Sequence, residues 1–241
     1  RDLEKYDESI VVAEKHIALY PKEREGYINK IISLLTLKDY ESVIEVSIES
    51  LNIFPNDFDI NYFLGIAYYS TEKFIEAESY YAKSLKIDND SIPAMHGLAM
   101  AYDKNKKWEK SDQLYIDLIA RNTKDAQAYN NYAYSLVERN EEIDYALTLA
   151  EKAIQLSPKT SPYLDTIGWI YFKLGNLEKA KEFIAESIVY DDSSAVVLEH
   201  YGDVLIALEE KDEALIFYKK ALELDQDNSA LSEKISSYEN Q

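Results

Sequence analysis

A period of about 34 residues runs through this chain. It constrains the fold more than any other feature, because a periodic unit of that length buries its apolar face only by stacking on its neighbours. Small residues recur at Gly65, Ala99, Ala133, Gly168 and Gly202, at spacings of 34, 34, 35 and 34. A second small column, Ala77, Ser111, Ala146, Ala180 and Ala214, follows the first by 12 or 13 residues. Bulky residues form a third column at Tyr6, Tyr40, Phe74 and Trp108, continued by Ile143, Leu177 and Lys211. Pro21, Pro55 and Pro158 close their units.

Each unit reads as a first helix carrying the Gly/Ala column, a short polar turn, and a second helix carrying the later alanine. Glycine inside a helix costs roughly 1 kcal/mol relative to alanine. Yet Gly65, Gly168 and Gly202, three of the six glycines, stand in one helical column. Small residues on facing positions let two helix backbones approach closely, and the packing gained offsets that cost. The spacing gives six whole units: 24–57, 58–91, 92–125, 126–160, 161–194 and 195–228. Ahead of them, residues 1–23 hold a partial repeat in which Asp7 to Tyr20 matches only a second helix, so the natural protein is expected to extend further toward its N-terminus. Behind them, 229–241 reads as a C-terminal capping helix.

Composition narrows the function. Hydrophobic residues at 46% and aromatics at 12%, with 21 tyrosines, exceed what a disordered acidic chain carries. A formal charge of −19 repels phosphate backbones and anionic head groups, which argues against nucleic acid as a partner and against membrane insertion. No apolar run reaches the roughly 18 to 20 residues of a membrane span. The absence of cysteine excludes disulfides and thiolate chemistry, and suits bacterial cytoplasm and cell envelope equally.

Several columns in register resemble the tetratricopeptide repeat family, whose pattern is an aromatic, Leu-Gly, a tyrosine, a later alanine, an aromatic, an alanine and a closing proline. The best copies are YFLGIAYYSTEKFIEAESYYAKSLKID, DTIGWIYFKLGNLEKAKEFIAESIVYD and EHYGDVLIALEEKDEALIFYKKALELD. The unit 24–57 departs, with Lys30-Ile31 in place of Leu-Gly and Val43 in place of the alanine, so its helices are expected to sit wider apart. The turn from Arg139 to Asp144 holds one extra residue. The stretch NNYAYSLVERNEEIDYALTLAEKAIQLSP, with YLDTIGWIYFKLG and LEHYGDVL after it, is also similar to a bacterial subgroup that includes envelope lipoproteins acting as adaptors.

The resemblance implies an all-α, right-handed superhelical solenoid whose first helices line a concave groove. Carried onto this chain, the groove positions give Tyr62, Tyr69, His96, Met100, Asn130, Tyr134, Asp165, Trp169, Phe172, Glu199 and Asp203 as candidate partner-binding residues. Such a groove is aromatic and apolar along much of its length and acidic at Asp165, Glu199 and Asp203, suited to an apolar or mixed apolar and basic segment of a partner protein. The fifth places of the units, Ile28, Tyr62, His96, Asn130, Asp165 and Glu199, hold none of the lysines that clamp a chaperone's terminal carboxylate in related repeats. Trp108 falls in the turn-packing column, whereas Trp169 falls in a groove position.

No residue set supports catalysis, and no cofactor or metal site is expected. The three histidines, His16, His96 and His200, lie on different units. His200 and Asp203, one helical turn apart with Glu199 or Asp165 nearby, could approach a metal, but a solvated polar face outweighs that reading. The reading is therefore a non-enzymatic scaffold or adaptor. The alternative is an accessory repeat array of a larger protein that carries a catalytic domain or membrane anchor elsewhere.

Overall fold

The computed structural model describes residues 2–239, and among them are fourteen helices and no strand. In chain order they are α1 (Asp2–Leu19), α2 (Arg24–Thr36), α3 (Tyr40–Leu51), α4 (Phe58–Ser70), α5 (Phe74–Ile87), α6 (Ile92–Lys104) and α7 (Trp108–Arg121). There follow α8 (Ala126–Glu138), α9 (Ile143–Leu156), α10 (Ser161–Lys173), α11 (Leu177–Tyr190), α12 (Ala195–Ala207), α13 (Lys211–Leu224) and α14 (Ser229–Glu239). The fold is the all-α superhelical repeat class. The helices divide into two compact units, one ending at Leu118 and the other beginning at Ile119.

Local chemistry sets the helix ends. Asp39, Asp57, Ser91, Asp125, Asn176, Ser194 and Asn228 each accept a hydrogen bond from the backbone N–H three residues on, satisfying a donor that the first helical turn leaves open. Pro93 and Pro162 sit in the first turns of α6 and α10, where a missing N–H costs nothing. The turn between paired helices places one residue in the left-handed region at Lys38, Glu72, Lys106, Asn140, Gly175 and Glu209. The turn with the extra residue needs a second, Glu142 at φ 43°.

In the first unit α1 packs on α2, α4 on α5, and α5 on α6. In the second, α8 pairs with α9, α10 with α11, and α12 with α13, while α14 closes against α13. The contact that explains the glycine column lies sixteen residues downstream. A Cβ on Gly65 would stand 2.7 Å from the Tyr81 ring, one on Gly168 would stand 2.5 Å from Cγ1 of Ile184, and one on Gly202 would run into the Tyr218 ring. The sequence had paired this column with the later alanines. Those are fully buried too, at Ala77, Ala146, Ala180 and Ala214, but at Gly65 and Gly202 a tyrosine ring fills the space a side chain would need. Gly97 faces the same Tyr81 ring from the following repeat, so one ring wedges between two glycines. Where the glycine is replaced, as at Ile31, which shares a core cluster with Val43, α2 and α3 pack more sparsely than the glycine-bearing pairs.

Candidate partner-binding face

The eleven residues expected to line a groove divide by burial. Tyr62, Tyr69, Met100, Tyr134, Phe172, Glu199 and Asp203 are partly open, whereas His96, Asn130, Asp165 and Trp169 are at most 7% exposed. The second group cannot offer a surface to a partner without rearrangement. What those side chains do is fix the residues around them.

In the first unit Tyr62 stacks on Phe58 with centroids 5.9 Å apart, and its ring lies 5.9 Å from Tyr81. Tyr69 meets Phe74 edge-on at 5.3 Å. Burial, with a smaller contribution from the charge of Asp103, pushes the Tyr69 hydroxyl up to about 12. Tyr115, 1% exposed, donates to Oδ2 of Asp103 at 2.8 Å, and its own hydroxyl is pushed far up by burial and that carboxylate. These tyrosines stay neutral throughout the physiological range.

In the second unit the indole of Trp169 is held on several sides. The His200 ring stacks on it at 4.0 Å and the Phe172 ring at 4.8 Å, both nearly parallel. The Lys173 ammonium lies 4.7 Å from the indole, a cation–π distance, and Nε1 donates to Oε1 of Glu138 at 2.9 Å. Nδ1 of His200 is 3.0 Å from both carboxylate oxygens of Asp165. Burial alone lowers the basicity of this imidazole; the Asp165 charge and hydrogen bond, joined by Glu138 and Asp203, outweigh it and leave the pKa raised above 6.5.

The acidic end expected at Asp165, Glu199 and Asp203 is internally compensated. Asp165 is taken by His200. Lys234, from α14, places Nζ 2.8 Å from both Oε1 of Glu199 and Oδ1 of Asp203. Asp203 also accepts from the Tyr218 hydroxyl at 2.6 Å. His200 and Asp203, the pair considered for a metal, are thus spent on protein partners. The sequence missed Glu138, Lys173 and Lys234, and it missed the rule that links them: the fifth-place carboxylate of one first helix meets the sixth-place cation of the next. Asp165 with His200 and Glu199 with Lys234 are each 35 residues apart, and the two pairs are offset by 34, so the signal was there to be found.

Three segments, 58–91, 161–191 and 195–228, match the model of the tetratricopeptide repeat. The chain carries tetratricopeptide repeats. A TPR protein from Parabacteroides merdae superimposes with a TM-score of 0.84 at 15% identity, over 98% of this chain and 93% of that one, which shows the shared fold. A TPR repeat-containing protein of Methanocaldococcus jannaschii is 26% identical over 83% of this chain and 36% of its own length. Over 40% of this chain and 17% of its own length, Hsp70-Hsp90 organizing protein 1 of Glycine max is 30% identical. The first curated relatives are spanned to between 5% and 36% of their lengths. TPR proteins bind protein partners and act as non-catalytic scaffolds. Among the described residues no helix is long and apolar enough to cross a membrane.

Proposed function

We propose that this chain is a protein-binding scaffold whose first helices take up a segment of a partner protein. The observation that carries the reading is the layering in the second unit. Phe172 stays partly open on α10 and stacks on Trp169, which is itself fixed against His200 and, through it, Asp165, while Tyr134 is partly open on α8. Aromatic anchors of this kind supply contact area at low entropic cost, and a rigid base beneath them reduces what binding must order. Tyr62, Tyr69 and Met100 offer an equivalent open set in the first unit.

The net charge of −19 favours an apolar segment with basic flanks, steered by the field of the whole chain. An acidic terminal peptide of the chaperone type lacks its clamp. Three cations on the first helices and α14 are engaged within the chain: Lys104 with the Phe74 ring, Lys173 with Trp169, and Lys234 with Glu199 and Asp203. Such a peptide is expected to show no micromolar binding by calorimetry.

The direct test is affinity capture from lysate of the source organism, with the native chain compared against Tyr62→Ala, Tyr134→Ala, Phe172→Ala in one variant shown to keep its thermal melt. A partner held by the native chain and lost by the variant supports the reading. Equal retention moves binding off these helices. Trp169 is left intact because its removal would unpack the layer beneath.

The limited span of the curated relatives favours keeping a second reading, an accessory array of a larger protein with a catalytic domain or anchor outside these residues. The full reading frame distinguishes the two.

A further inference from the structure

We propose that the buried His200–Asp165 pair is a pH-sensitive latch between α10 and α12, closed when the imidazole is protonated and loosened when it is not. His200 is 7% exposed and Asp165 5%, so the pair is withdrawn from solvent and is a charged contact that ties these two first helices across one repeat step. At such burial an unpaired carboxylate is costly, and a protonated imidazole supplies both the charge and the hydrogen bond that Asp165 needs. Neutral imidazole keeps at best an ordinary hydrogen bond.

The equivalent site one repeat later shows what a pH-independent version looks like. There Lys234 meets Glu199, in the same fifth-to-sixth-place arrangement, and its ammonium keeps its charge through neutral pH. The chain therefore uses lysine where the contact is half-buried and histidine where it is buried and stacked on an indole at 4.0 Å.

The surroundings favour the closed state. From α8, Glu138 faces the site and also holds the Trp169 indole. On α10 itself Lys173 lies over that indole. On α12 the near charge is Asp203, which is shared with Tyr218 of α13 and Lys234 of α14. Lys181 of α11 is held by Glu210 beside Tyr201. The three carboxylates, Asp165 foremost, raise the imidazole's basicity despite its burial. A group with its folded pKa raised contributes stability that is fully present below the unfolded value, near 6.5, and is lost as pH climbs through the folded value. The latch thus loosens as pH climbs through a midpoint above 6.5. Because Trp169 stacks on the titrating ring, its indole should report each state.

The test is an NMR titration of the whole chain from pH 5.5 to 9, following the His200 ring and the Trp169 indole N–H, alongside thermal melts. The expected result is a His200 midpoint above 6.5, with the Trp169 signal moving at the same midpoint. His200→Lys, which copies the chain's own solution one repeat later, should lose the Trp169 step. Its melting temperature should also fall less than the native one between pH 6 and pH 9, by about 2 to 4 °C. Asp165→Asn should drop the His200 midpoint at least tenfold in proton affinity. Should His200→Lys fail to fold, His200→Gln and the native titration still decide. A His200 midpoint at or below 6.5, or a Trp169 step that survives removal of the imidazole, overturns the latch.

Discussion

Two glycines separate steric from conformational demands. At Gly202 the backbone is helical and the space is taken by the Tyr218 ring, so Gly202→Ala should overpack and lose about 1 to 3 kcal/mol despite the better helix propensity of alanine. At Gly175 a Cβ would meet nothing within 4 Å, but φ is +76°. Gly175→Ala should therefore lose about 1 kcal/mol through the backbone alone. The same turn place holds Glu72 at φ 58°, where glycine would relieve that strain. Glu72→Gly is expected to raise stability by about 0.5 to 1 kcal/mol, partly offset by the freedom glycine gains when unfolded. Thermal melts of the three variants in one buffer check the set; an unchanged Gly202→Ala melt would remove the assigned ring contact.

At the scale of helices, two inter-repeat ion pairs are mirror images. Glu78 of α5 meets Lys107 at 2.7 Å in the turn before α7, and 103 residues later Lys181 of α11 meets Glu210 before α13 with the charges exchanged. Both pairs are partly exposed, so each is worth no more than about 1 kcal/mol. Their use is in matching one turn to one helix. Lys181→Glu should lose about 0.5 to 1 kcal/mol, and adding Glu210→Lys should restore most of it. A double variant no more stable than the sum of the singles would show that the pair does not couple.

The helix pattern was legible because the Gly65, Gly168 and Gly202 column and the closing prolines repeat in residue type. The column that meets those glycines was not noticed. It runs Ser47, Tyr81, Tyr115, Leu149, Ile184, Tyr218, constant in burial but variable in chemistry: Tyr81, Ile184 and Tyr218 fill the space beside glycines, whereas the small Ser47 stands sixteen residues after the bulky Ile31. The candidate face was legible only in part for a related reason. Asp165 and His96 read as surface residues by type, and what buries Asp165 is a histidine one repeat further on, which no single unit reveals.

For the molecule as a whole, charge decides how stability responds to salt. Forty-five acidic residues against 26 basic ones leave many carboxylates without a partner, and their mutual repulsion opposes the compact state. Added salt screens that repulsion and the attractive pairs alike, so the outcome depends on distance. Raising sodium chloride from 20 to 500 mM shortens the Debye length from about 20 Å to about 4 Å. Contacts such as Lys30–Glu14 and Lys107–Glu78 at 2.7 Å, or His200–Asp165 at 3.0 Å, lie inside both lengths, the last well shielded from ions by burial. Repulsions between carboxylates on neighbouring helices, whose axes run roughly 8 to 10 Å apart, lie inside the first length and outside the second. Salt should therefore remove more repulsion than attraction, and the melting temperature should rise between 20 and 500 mM sodium chloride at pH 6.5. The same screening should slow association with a basic peptide while leaving its dissociation rate nearly constant, a split that stopped-flow measurements resolve. A melting temperature that falls instead would mean that the ion pairs between repeats, not the surplus of carboxylates, govern the electrostatics of this array.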